Sequence, residues 1–116
     1  MQHLFNFPKE KRIRKGVDYR QLFATSKKVY GQHCRINIKV EDGERQMGVI
    51  ISRRIKGSVI RNRHKRLIRE FFRLNQYKLK EGIKLVIFVS TCFQPDTYEM
   101  IEHEIMALLQ KAGITM

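Results

Sequence analysis

Between residues 53 and 73 the chain carries nine basic residues and one acidic residue, Glu70. The same stretch repeats apolar residues at helical spacing. Stepping about 100° per residue from Ile60, the residues Ile60, Leu67, Phe71 and Leu74 cluster within about 40° of zero, with Ile68 near 80°. Arg61, Lys65, Arg69, Asn62, Arg73 and Arg66 sweep from about 100° to 240°. Arg63 falls near 300°, and Phe72 interrupts the basic side near 120°. A segment with this pattern is expected to form a helix over residues 59–75. Its carbon face needs another layer to cover it, and its cationic face is left outward.

Ordinary surface helices mix the signs of their charges. Here five like charges stand three and four residues apart and repel one another. A solvated amphipathic helix is the plain reading. The single sign favours a face that meets phosphates. Arginine outnumbers lysine five to one between 61 and 73, and its planar fork suits bidentate phosphate contact. Arg53, Arg54 and Lys56 precede the helix beside Gly57 and Ser58. This loop either extends the same anion-facing surface or is a solvated connection.

The whole chain is basic, at 116 residues and a formal net charge of +13. Residues 91–116 reverse the sign, with Lys111 against Asp96, Glu99, Glu102 and Glu104. Nucleic acid, an anionic membrane surface or an acidic protein would neutralise such a chain. The length fits one domain over residues 1–116, with residues 1–16 as an irregular basic arm. No apolar run reaches about 18 residues, so no spanning helix and no membrane partner are expected. The first residues, MQHLFNFPKEKRIRK, lack the apolar stretch of a signal peptide, which favours the cytoplasm. Cys34 and Cys92 then read as small core residues rather than a disulfide framework.

Elsewhere the periodicity changes. Asp18 would cap a short helix ending near Thr25 and Ser26, with Tyr19, Leu22 and Phe23 on one face. Residues 33–40 alternate Cys34, Ile36, Ile38 and Val40 with His33, Arg35, Asn37 and Lys39, the period of a half-buried strand. Asp42-Gly43 signals a turn, and residues 47–52 read as the return strand. Residues 83–89 are an apolar run for one buried strand. Pro95 and Asp96 open a last helix, with Asp96 and Glu99 as a capping box. Its apolar stripe is Tyr98, Ile101, Ile105, Leu108, Leu109 and Ala112, and Gly113 stops it. The order predicts an α+β sandwich, helices over a small sheet.

No protein-borne active site is legible. His3, His33, His64 and His103 have no paired-ligand spacing. His64 falls on the apolar face and reads as a packed histidine rather than a general base. Cys34, Cys92, His33 and His103 lack the CxxC spacing of a zinc site. The acidic residues of 96–104 read as a solvated face that suits a helix N-terminus.

The stretch SRRIKGSVIRNRHKRLIREFFR, residues 52–73, is more specific than a basic helix. Arg61-Asn62-Arg63 followed by Lys65-Arg66 and Arg69 resembles the signature of the bacterial ribonuclease P protein subunit. Arg12-Ile13-Arg14-Lys15 with Asp18-Tyr19 and Leu22-Phe23 is similar to that family's opening segment, and Met47-Gly48-Val49 before Ile51-Ser52-Arg53-Arg54 to its next strand. The resemblance implies a mixed four-stranded sheet with three helices, in the order αβββαβα with a left-handed βαβ crossover. It implies two partners, the catalytic ribonuclease P RNA (one protein per RNA) and precursor transfer RNA. It also implies a magnesium-dependent removal of the 5′ leader that the RNA catalyses.

By the same resemblance, Arg61, Asn62, Arg63, Lys65, Arg66 and Arg69 face the catalytic RNA or the nearby metal-binding region, and Arg53, Arg54, Lys56 and Arg73 join them as the flanking cations of the same basic loop and helix. The resemblance places Tyr19 and Phe23 on a cleft for the single-stranded leader; Arg35 and Lys39 on the polar strand face could meet its phosphates, and Arg14 and Asn37 complete the candidate leader set. Tyr19 and Phe23 have a second reading, as anchors that pack the first helix on the sheet. The chain departs from the family at Lys56, where glycine is frequent, and at Asn37, where an aromatic is common. It departs again at Ser90-Thr91-Cys92, where a basic residue often follows the strand. A chain this basic is a poor cage for magnesium, whereas an RNA made of phosphates is a good one.

Overall fold

The computed structural model describes residues 26–41 and 43–114. The irregular arm and the helix expected after Asp18 lie outside the described residues, as does Asp42 of the expected turn. Four strands form one mixed sheet: β1 (Lys27–Tyr30), β2 (Cys34–Val40), β3 (Gln46–Ile51) and β4 (Ile83–Val89). Two α-helices are described, α1 (Ser58–Asn75) and α2 (Tyr98–Lys111), with a 3-10 turn at Gln76–Lys78 after α1. Two of the three helices of the expected order are therefore described, and the first of them falls outside the described residues.

The sheet order is β1-β2-β4-β3. β4 runs antiparallel to β2 and parallel to β3. This corrects the return-strand expectation, because β3 comes back beside β4 rather than beside β2. The reason lies in β4. Ile83, Leu85, Val86, Ile87 and Val89 are all 0% exposed. A strand apolar on both faces takes the centre, and the half-polar β2 and β3 flank it. β1 escaped the sequence reading because Lys27, Lys28 and Tyr30 are exposed, leaving Val29 as its one buried residue.

One face of the sheet carries Cys34, Ile36, Ile38, Met47, Ile51 and the odd-numbered residues of β4. These join Ile68, Phe71 and Phe72 of α1, Phe93, and Ile101, Ile105 and Leu109 of α2 in one buried cluster. The helix α1 is rotated from its expected seat. It buries His64, Ile68, Phe71, Phe72 and Asn75, while Ile60 and Leu74 stay 40% and 51% exposed. The buried stripe is centred near 60°, not zero. Seating Phe72 removes a whole aromatic ring from water, which outweighs the two aliphatic side chains left at the rim.

The start of α2 is also corrected. The cap is Thr97, whose Oγ1 accepts from Met100 N at 3.3 Å. Asp96 instead accepts from Arg63. The stripe of α2 and its stop at Gly113 (φ 74°) follow the sequence reading.

Candidate nucleic-acid interface

The cationic surface is built around a pinned loop. After β3, Ser52 N donates to Val89 O (2.9 Å) and Ile55 N to Ser52 O (3.0 Å), while Arg54 N donates to Ser52 Oγ (3.2 Å). Ile55 is buried and anchors the turn. Arg53, Arg54 and Lys56, on either side of that anchor, are exposed. Arg61 reaches back from the first turn of α1 and donates from Nη1 to Ile55 O at 2.8 Å. Loop and helix therefore present their charges as one surface.

Along α1 the expected residues divide. Asn62 and Arg66 are exposed, and Arg61, Lys65, Arg69 and Arg73 are half-buried. Arg63 is drawn aside: its Nε donates to Asp96 Oδ2 (3.0 Å) and its Nη2 to Asp96 O (3.1 Å), tying α1 to the entry of α2. Arg73 makes a two-pronged pair with Glu70, at 2.9 and 2.6 Å. Those hydrogen bonds hold the Glu70 carboxyl below its ordinary range and the Arg73 guanidinium above its own. Their charges are partly spent inside the protein.

The opposite face of the sheet gathers a second set. Alternation along the strands puts Lys28 and Tyr30 of β1, Arg35, Asn37 and Lys39 of β2, and Lys84, Val86 and Phe88 of β4 on that side. Arg35 stands opposite Phe88 in register, its guanidinium carbon 4.9 Å from the ring centre. Asn37 is 0% exposed and donates from Nδ2 to Ser26 Oγ at 3.1 Å. It ties β2 to the residue just before β1 rather than reaching outward. Lys39 pairs with Glu41 at 3.3 Å. Arg14, Tyr19 and Phe23 lie outside the described residues.

Phe88 and Tyr30 were missed by the sequence reading. β4 looks uniformly apolar, which hid its alternation. Once Asn37 takes the place of an aromatic on β2, Phe88 supplies a ring on the neighbouring strand. The signal available was the triplet Lys84, Val86, Phe88 at period two.

His33, His64 and Cys34 have structural roles. His64 is fully buried, with Nδ1 donating to Ile60 O (2.9 Å) and Nε2 accepting from Phe93 N (3.1 Å). Both ring nitrogens are committed, and the hydrogen bonds require the neutral tautomer protonated on Nδ1. The His33 ring stacks on Phe93 with centres 4.6 Å apart. Burial first, then the Glu104 charge, pushes the Cys34 thiol far up, so it is inert. Glu104 departs from the solvated acidic face expected of it. Its carboxylate accepts from His33 N (2.7 Å), Cys34 N (3.1 Å) and the His33 ring Nδ1 (2.7 Å).

Magnesium fits none of this. No group of three or more His, Cys, Asp or Glu is gathered among the described residues. Asp96, Glu70 and Glu104 are already taken by Arg63, Arg73 and His33. No described residue is assigned a magnesium-ligand role. No helix of the described residues is long and apolar enough to cross a membrane.

A mixed sheet under two helices, with a dense run of cations on one helix and the loop that feeds it, is a small α+β fold with a strongly basic surface. A family model described as Ribonuclease P matches residues 7–113. The ribonuclease P protein component of Clostridium acetobutylicum is 35% identical over 112 residues, covering 93% of each chain. The chain belongs to the ribonuclease P protein family, the protein subunits of a tRNA-processing ribonucleoprotein. Solved structures agree on the fold. A Staphylococcus aureus RNase P protein mutant with defective mRNA degradation activity superposes with a TM-score of 0.82 at 19% identity, over 91% of each chain. The RNase P protein from Thermotoga maritima in complex with 1-(4-fluorophenyl)-2-thiourea gives 0.79 at 20% identity, over 86% of this chain and 98% of that one.

Proposed function

We infer that this chain serves as the accessory subunit in removal of the 5′ leader from precursor transfer RNA. In this reading the RNA component is the catalyst and holds the magnesium. The observation that supports it most is the pinned loop–helix junction. Ile55 and Arg61 lock the 53–57 loop to α1, so Arg53, Arg54, Lys56, Asn62 and Arg66 form one outward surface. A rigid cationic surface neutralises phosphates without first losing side-chain and loop freedom. Its binding is steeply salt-dependent through counterion release.

The second sheet face is assigned to the leader. Arg35, Lys39 and Phe88, with Arg14, Tyr19 and Phe23 by the family's pattern, offer rings to unstacked bases and cations to their phosphates. Binding leader and RNA together raises substrate affinity. Holding substrate and RNA in one fixed geometry raises the affinity of the RNA's magnesium sites, because less has to be ordered when the ion binds. Three helices in the order αβββαβα, a left-handed βαβ crossover, one protein per RNA and a cytoplasmic setting complete the reading.

The test is cleavage of precursor transfer RNA by the cognate ribonuclease P RNA at low magnesium. Cutting at the 5′ junction is expected with RNA plus protein, with little from RNA alone and none from protein alone. Tight RNA binding with no gain in cleavage would favour a stand-alone structural or ribosomal RNA-binding protein. Cutting by the protein alone would sink the accessory role. Within the interface, Arg66→Ala should weaken RNA binding and lower the slope of log affinity against log salt by about one. Arg66 is exposed, so the melting temperature should not move. An unchanged slope would remove Arg66 from the phosphate contacts.

A further inference from the structure

The 3-10 turn that closes α1 points one large ring outward. Gln76 and Leu79 are 8% and 0% exposed, and Tyr77, carried between them, is 68% exposed. An exposed tyrosine alone is ordinary surface. This one is framed. Arg45, just ahead of β3, donates from Nε to the Leu79 carbonyl at 3.1 Å. That bond fixes the guanidinium, whose carbon lies 5.5 Å from the centre of the Tyr77 ring. Lys80, the residue after Leu79, is exposed and bound through its backbone N–H to Ile114 O at 3.1 Å, which anchors this corner to the chain beyond α2. Lys78 is exposed at the border of a groove that also holds Glu99 and Glu102. Arg45 is the cation on the ring, and Lys78 and Lys80 flank the turn in sequence, with Glu81 after them.

We propose that Tyr77 and Arg45 form a stacking site for one unpaired nucleobase of RNA, with Lys80 as its phosphate partner. A phenol ring and a guanidinium plane both stack on bases, and stacking tolerates any base because every base has a π face. The adjoining phosphate then meets an ammonium rather than water alone. A single ring framed by cations is too small an apolar area to hold a lipid surface. The site is distinct from the loop–helix surface. α1 has 18 residues, a rise of about 27 Å, and the 53–57 loop lies at its other end. Two contacts that far apart on one rigid helix would fix the protein's orientation on a folded RNA, which one contact cannot do.

This rests on the reading that ribonuclease P RNA is the partner, and the test separates the two. The full-length protein is titrated with its cognate ribonuclease P RNA across a salt series, alongside Tyr77→Ala, Tyr77→Phe and Arg66→Ala. Tyr77→Ala is expected to bind about tenfold more weakly with an unchanged salt slope, because a lost stack releases no counterion. Tyr77→Phe keeps the ring and should keep the affinity. If Tyr77→Ala binds like the wild type while Arg66→Ala weakens, the stacking site is wrong and the docking surface stands. If neither variant changes binding, the docking reading itself falls. Photocrosslinking of 4-thiouridine-substituted RNA to the unaltered protein needs no variant. Adducts on the peptide carrying Tyr77 are expected, and adducts confined to residues 53–73 would overturn the site.

Discussion

Gly82→Ala should lose on the order of 3 kcal/mol or more of folding free energy, visible as a collapse of the urea unfolding midpoint. Gly82 has φ 77°, where an alanine is strained by about 1–2 kcal/mol. Strain is the smaller part. A Cβ at Gly82 would fall on the backbone carbonyl of Glu41, well inside van der Waals contact. The two segments are held there by Glu41 N donating to Gly82 O at 3.0 Å, where β2 ends and β4 begins. Backbone cannot swing aside as a side-chain tip can, so the strand entry itself must move. Gly113→Ala is the internal control. Its φ is 74°, yet nothing lies within 4 Å of an added Cβ. It should lose only the strain, about 1 kcal/mol. Equal losses in the two variants would show that the Glu41 contact does not matter.

Glu104→Ala is expected to lose about 2 kcal/mol, because it strands three N–H donors and the Cys34 thiol at one turn. His33 N, Cys34 N and the His33 ring all end on this carboxylate, across the seam between α2 and the start of β2. Glu104→Gln keeps one acceptor oxygen and should fall between. The carboxylate also gives the fold an acid-sensitive component. Burial pushes the Glu104 pKa up, but the hydrogen bonds from His33 and Cys34 outweigh it and leave the group below its ordinary value of 4.5. A group depressed on folding adds stability that is fully present above its unfolded value. That contribution is lost as pH falls from about 4.5 through the lower folded value. The stability gap between wild type and Glu104→Gln should therefore be widest at neutral pH and close on acidification. A gap that stays constant from pH 7 to pH 3 would refute the assignment.

The sequence reading was most reliable where one property repeats along a segment. The period-two pattern of 33–40, the apolar run 83–89 and the stripe of α2 each need only their own residues to be recognised. It failed where the outcome depends on a competitor elsewhere. β3 pairs with β4 because β4 outbids β2 for the centre of the sheet, and nothing local to residues 46–51 encodes that. Phe72 reads as an interruption of the cationic face, yet it is fully buried in a core shared by strands and helices far apart in the chain. Asp96 suited a cap by type, but Arg63 reaches it first and leaves the cap to Thr97. The cationic surface was legible as a set of residues. Its rigidity was not, because Ile55 and the Arg61 bond to its carbonyl are invisible to charge patterning.

The central position of β4 also orders events during synthesis. When the ribosome has released the chain only as far as residue 75, β2 and β3 exist without the strand that joins them. Both present unpaired edges, and the cationic helix has only part of its apolar cover. The pairing that completes the sheet is the non-local kind that costs chain entropy before any contact offsets it. For that interval the most basic stretch of the chain is out in the cell, and the fold that will discipline it is still unfinished. A polyanion that meets the chain then meets a flexible cationic segment, whereas the finished protein offers a fixed surface.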